Sequence, residues 1–195
     1  SLVVGDGGST IPDALAAAGD QAPDVLFLAL LPDDGAQAVD GIADVPALAD
    51  VRVIGGDGLF TQEFVAAAGP AALGVYVTGP AFGMYAPSYA TLVADYTAAY
   101  GIAPTGAYHA TGYDAAGILL AALDAVATED ADGTLHVGKG ALRDALLATA
   151  GYAGVTGTLG CTATGDCAAP DIAVYAIAQD VVDGAWPPAV AGAAG

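Results

Sequence analysis

Three short apolar runs, each ending at a Gly- or Pro-rich break and separated by helix-like stretches, constrain this chain more than any other feature. The first, DVLFLALL (24–31), is continuous, the pattern of a strand buried on both faces of a parallel sheet. The second, VRVI (51–54), runs directly into GGDGLF, and the third, GVYVT (74–78), stops at Gly79-Pro80. Pro32-Asp33-Asp34-Gly35 reads as a break before a weak helix over 36–43. Thr61 reads as the cap of a helix over 62–68, closed by Gly69-Pro70. Ahead of these, residues 2–4 suit a short strand and 5–9 a loop. Thr10 or Asp13 suits the cap of a helix ending at Ala18, with Pro12 in its first turn. The alternation predicts an α/β fold with a parallel, helix-covered sheet.

After Pro80 the texture changes. Helices are expected over 87–100, with Tyr89, Leu92, Val93, Tyr96 and Tyr100 on one stripe, and over 108–127 and 139–150. An acidic loop at 129–133 separates the second from the third. Residues 154–159 and the cysteine loop are expected to pair as a hairpin. A last strand follows over 171–178, and the Gly/Pro/Ala-rich tail beyond it reads as loose.

Charge excludes whole classes of partner. Three basic residues, Arg52, Lys139 and Arg143, stand against 22 acidic ones, for a net charge of −19 in 195 residues. Nucleic acid needs cations to neutralise phosphate, and anionic lipid surfaces need them too. The acidity itself has two readings, a soluble self-repelling surface or adaptation to high salt. Direct membrane insertion is not expected, because the charge-free run 64–93 is broken repeatedly by glycine and proline. The start, SLVVGDGG, has neither the basic residues nor the long apolar stretch of a signal peptide. The expectation is that a leader has been removed or that the chain begins partway through a longer protein.

Cys161 and Cys167 bracket TATGD, whose Gly165 and Asp166 favour a turn. A disulfide across a hairpin is expected, and it implies export. A metal site would need more ligands than two thiols, and neither histidine is near in sequence. No cofactor is expected.

The motifs of catalysis are incomplete. There is no G-x-S-x-G among three serines. GTLHVGKG (133–140) has Gly140 where a phosphate loop needs Ser or Thr, and EDADG (129–133) lacks the rest of a calcium loop. His109 and His136 suit surface or capping roles. Asp114, near the start of the 108–127 helix, is expected to be stabilised by the helix dipole. These readings favour a non-enzyme.

The pieces PDVLFLALLPDDGAQ (23–37), VIGGDGLF (53–60), AALGVYVTGP (71–80), YHATGYDAAGILLAAL (108–123), GYAGVTGTLGCTATGDC (151–167) and AVYAI (173–177) occur in an order that resembles the Leu/Ile/Val-binding family of ABC-transporter substrate-binding proteins, of type I periplasmic-binding-protein fold. The resemblance implies a parallel-sheet, Rossmann-like lobe plus a second, partial lobe. Residues 1–79 and 172–195 would form the second (C-terminal) lobe, incomplete at its start. Residues 80–171 would form a partial first (N-terminal) lobe carrying the disulfide hairpin. The first part of that lobe would be absent, leaving half a ligand site.

The implied role is an extracytoplasmic receptor, periplasmic or cell-surface and with a lipid anchor compatible in the full-length protein. It would bind a branched-chain or other amino acid, or an amide-like or aromatic small molecule, by hinge closure. Its partners would be that ligand and the membrane subunits of an ABC importer. A non-catalytic interaction or assembly protein reusing a partial receptor fold is the alternative, followed by a small-molecule enzyme.

In the family the acidic residue matching GGDGLF receives a ligand ammonium, and the match falls on Asp57. A partly buried carboxylate in a chain so poor in cations needs such a partner. The competing reading is an ordinary Asp-Gly turn with a solvated side chain. Gly58 would let the backbone come close to a small molecule. Leu31, beside Leu30, stands where relatives place an aromatic residue, and reads as either an apolar wall or core. Phe60, Phe82 and Tyr85 suit the cleft lining, though aromatic residues pack into cores as often.

Overall fold

The computed structural model describes residues 10–167 and 171–193, so the strand and loop expected over 2–9 lie outside the described residues. The chain divides into two compact units. One takes the chain up to Pro80 and again from Ile172, and the other is Ala81–Asp171.

In the first unit, helix α1 (Ile11–Gly19) begins with a capping box. Thr10 Oγ1 accepts from the Asp13 amide while the Asp13 carboxylate accepts the Thr10 amide. Strands β1 (Val25–Leu28), β2 (Arg52–Gly55) and β3 (Tyr76–Pro80) pair in parallel, in that order. Helix α2 (Pro32–Gly41) connects β1 to β2, and α3 (Gln62–Ala68) connects β2 to β3. Helix α1 packs on α2, and α2 on α3. Thr61 caps α3 by accepting the Phe64 amide at 3.1 Å.

Two expectations fail here. Pro32-Asp33-Asp34 follows the end of the strand as expected but already opens α2, ahead of the helix start expected at 36, with proline in the first turn, where its missing N–H costs nothing, and acids facing the helix dipole. Strand β1 is not buried on both faces. Among the described residues it is the edge of the sheet, Leu28 is its one buried residue, and Phe27 on the opposite face is 60 % exposed. An apolar groove of ≈ 690 Å³ runs along this edge, lined by Ile11, Leu15, Ala18, Phe27, Leu28 and Ala38 among others.

Strand β8 (Ile172–Ala176) returns beside β3 and runs antiparallel to it, so the sheet is mixed. The tail that reads as loose forms a short helix, α7 (Gln179–Val182), and strand β9 (Ala189–Ala193), antiparallel to β8. An edge strand can be this poor in large side chains because its backbone bonds to β8 hold it.

In the second unit, α4 (Ser88–Tyr100) stops at Gly101, whose φ of 78° is the left-handed conformation suited to a helix end. Helix α5 is His109–Val126. A hairpin of β4 (Thr128–Glu129) and β5 (Leu135–His136) follows, then α6 (Lys139–Leu147) and the hairpin β6 (Tyr152–Ala153) with β7 (Thr158–Leu159). The Cys161–Cys167 disulfide forms, but it closes a separate loop beyond β7 instead of bridging the hairpin's strands.

Candidate functional site

In the first unit the carboxyl ends of β1 and β2 carry two loops held against each other. The Gly56 amide donates to the Leu28 carbonyl at 3.0 Å, aligning the two strand ends. The chain then turns through Asp57–Leu59, closed by Leu59 N–H to Gly56 O and Phe60 N–H to Asp57 O, both 3.0 Å. Gly58 faces the other loop so closely that a Cβ there would lie 2.5 Å from the Leu30 carbonyl oxygen, and 3.9 Å from Leu31 Cδ2. Only glycine permits that approach.

Leu31, Gly58 and Asp57 therefore occupy one neighbourhood at the end of the sheet. Leu31 is 70 % exposed, so it is not core. Asp57 is exposed as well, which removes the argument that burial forces it to find a partner. Its turn lies beyond the last sheet pairing of β2, Leu28 with Gly55. What the arrangement offers is a solvent-facing carboxylate next to an apolar side chain and a close-set backbone turn. Charge-assisted hydrogen bonds to a cation suit such a group.

Phe60 is placed differently from a cleft-lining residue. It has no exposed surface, stacks on Tyr175 with ring centroids 4.5 Å apart, and meets Trp186 at 5.1 Å. Gly79 lies against its ring, with no room for a Cβ. Phe60 thus supports the Asp57 turn from beneath. The sequence reading missed Trp186 in this cluster, because its partner lies 126 positions earlier in the chain.

Phe82 belongs to the second unit and is half-buried. Its ring meets Tyr85 edge-on at 5.6 Å and lies 6.0 Å from Tyr89 and 5.7 Å from His109. His109 is engaged at both nitrogens, Nδ1 with the Gly106 carbonyl at 2.6 Å and Nε2 with the Tyr89 hydroxyl at 2.9 Å. A spacing of three and then four residues between the aromatics at 82, 85 and 89 is the one sequence signal of this cluster; nothing local points to His109.

Among the described residues, no group of three or more His, Cys, Asp or Glu side chains is placed to hold a metal ion. None of the described helices is long and apolar enough to cross a membrane. His136 and Asp130 form an exposed pair at 2.7 Å across the β4–β5 hairpin.

Comparison with known proteins gives a consistent picture. A family model described as periplasmic binding protein matches residues 4–181. No curated protein matches the chain. Among solved structures, a leucine binding protein from Thermotoga maritima superposes with a TM-score of 0.72 at 19 % identity, over 92 % of this chain and 47 % of that one. A putative branched-chain amino acid ABC transporter protein from Rhodospirillum rubrum gives 0.63 at 30 % identity, over 90 % and 48 %. An ABC transporter substrate-binding protein from Desulfitobacterium hafniense, in complex with Leu, gives 0.59 at 20 % identity, over 88 % and 47 %. The chain spans about half the length of each of these proteins.

Proposed function

We infer the role of this chain from one premise: it belongs to the periplasmic binding protein family. We propose that it is an extracytoplasmic solute-binding receptor serving an ABC importer, with a branched-chain or other amino acid as ligand and no covalent step. The observation that carries the reading is that the turn holding exposed Asp57 abuts the loop holding exposed Leu31, at Gly58. A carboxylate beside an apolar side chain complements an ammonium beside an aliphatic one. The Leu complex of a structural neighbour supports the choice of ligand class.

In this proposal Asp57 receives the ligand's ammonium, Gly58 lets the backbone approach it, and Leu31 contacts its side chain. Phe60 stabilises the turn from the core, and Phe82 is the further residue we propose as a ligand contact. Binding is coupled to hinge closure, which requires the ligand to favour the closed state.

Calorimetry with L-leucine, isoleucine, valine, an amide series and aromatic acids tests the reading. Asp57→Asn is expected to weaken leucine binding about tenfold or more, the scale of a hydrogen bond to a charged group. Equal affinity for leucine and for 4-methylpentanoate, which lacks the amine, would remove Asp57 from its role. Absence of binding across the panel would favour the second reading, an interaction module, for which the exposed apolar edge of β1 speaks.

A further inference from the structure

We propose that His109 is a positioning residue, the pin that holds the aromatic face of Phe82, Tyr85 and Tyr89 in the second unit. The Gly106 carbonyl can only accept, so at 2.6 Å it requires the proton on Nδ1. In the neutral ring Nε2 then carries a lone pair, and the Tyr89 hydroxyl donates to it at 2.9 Å. The same imidazole lies 5.7 Å from the Phe82 ring and 5.5 Å from the Tyr89 ring, and Tyr85 meets Tyr89 edge-on at 5.0 Å.

Four pieces of chain meet at that one ring. Phe82 sits in the turn Phe82–Met84, Tyr89 in the first turn of α4, His109 at the start of α5, and Gly106 in the segment before it. Histidine suits the place because one flat ring supplies a donor and an acceptor at opposite ends and still packs against aromatic neighbours. Asparagine reproduces only the Nδ1 end and glutamine only the Nε2 end. Locking rotamers in advance lowers the ordering cost of binding.

The consequence for ligand affinity rests on the receptor reading, through Phe82; the pin itself does not. Nitrogen NMR of the imidazole in the full chain, without ligand, tests the pin directly. The expected spectrum is a protonated Nδ1 with a hydrogen-bonded Nε2 lone pair, and Tyr89→Phe shifts Nε2 while leaving Nδ1 in place. A proton on Nε2, or an average of both tautomers, would overturn the assignment.

The second arm measures L-leucine affinity. Tyr89→Phe and His109→Asn each weaken it about fivefold, the scale of one neutral hydrogen bond, and lower the melting temperature by only about 2–4 °C, so the protein stays folded during the titration. The double variant is no weaker than either single one. Independent, multiplying losses would overturn the coupling. If no member of the ligand panel binds, the receptor reading falls and the imidazole spectrum alone decides the pin.

Discussion

Asp114 accepts both the backbone amide and the hydroxyl of Thr156, at 2.8 and 2.6 Å, and so ties the turn of the β6–β7 hairpin to α5. The neighbouring Val155 amide donates to its other oxygen at 2.8 Å. Asp114 is 1 % exposed, and these three donors satisfy both of its carboxyl oxygens. It stands at the sixth residue of α5, beyond the first turn where a helix dipole acts, so the dipole role expected of it is replaced by a tertiary one. Gly154 completes the arrangement, since a Cβ there would collide with the Asp114 carboxylate.

Asp114→Asn is expected to cost about 2 kcal/mol, because an amide nitrogen would be turned toward donors that have no other acceptor in place. Thr156→Val, which keeps both backbone bonds, should cost about 1 kcal/mol. Urea unfolding of the two variants checks the order. Equal and negligible losses would show that the hairpin is held by other means.

The Phe60 cluster gives an optical prediction. Gly79→Ala pushes a methyl group into the Phe60 ring and should destabilise by about 2 kcal/mol. Phe60→Ala leaves a cavity between Tyr175 and Trp186 and should cost about 3–5 kcal/mol. Trp186 is the sole tryptophan, so its emission should shift to longer wavelength in Phe60→Ala. An unchanged spectrum would argue against the contact.

Acid stability should depend on the first helix cap. The Thr10 hydroxyl, and next its amide, hold the Asp13 carboxyl below its ordinary value of 3.8. A group depressed in the folded state adds stability that is present above its unfolded pKa and lost as pH falls through the folded one. Thr10→Ala should therefore flatten the stability profile below about pH 4. Unfolding curves at a series of pH values measure this; an identical acid limb would mean the cap is frayed in solution. Asp132 is lowered in the same sense, by the amide and then the hydroxyl of Thr134.

Replacing Cys161 and Cys167 together by serine should lower stability by about 2 kcal/mol at most, as expected for so short a closed loop. Hydrogen bonds inside the loop, Thr162 N–H to Asp166 O at 2.7 Å and Gly165 N–H to Thr162 O at 3.0 Å, hold part of its shape without the bond. Denaturant melts of oxidised wild type and the double variant, with limited proteolysis of the loop, make the comparison. A larger loss would show that the disulfide also supports the β6–β7 hairpin.

The sequence by itself determined whatever acts over three or four residues. Thr61 and the pattern after it mark α3, Thr10 and Asp13 mark α1, and the alternation of strands and helices establishes the α/β class and the family likeness. Caps and glycine turns work through neighbouring backbone groups, so their meaning is visible locally. The same local rules, applied to Pro32-Asp33-Asp34, describe a helix start that a punctuation reading takes for a stop.

Tertiary structure alone decided the rest. Tyr175 donates its hydroxyl to the Pro80 carbonyl across 95 positions of chain, and β8 takes an antiparallel place that no local pattern requires. Strand β1 reads as fully buried because hydrophobic content reports what a strand can tolerate, whereas its exposure depends on how many neighbours it acquires. For the candidate site, GGDG announces a turn at a strand end. That Asp57 is open to solvent, that Gly58 abuts Leu30, and that Phe60 turns inward all follow from packing between segments far apart in the chain.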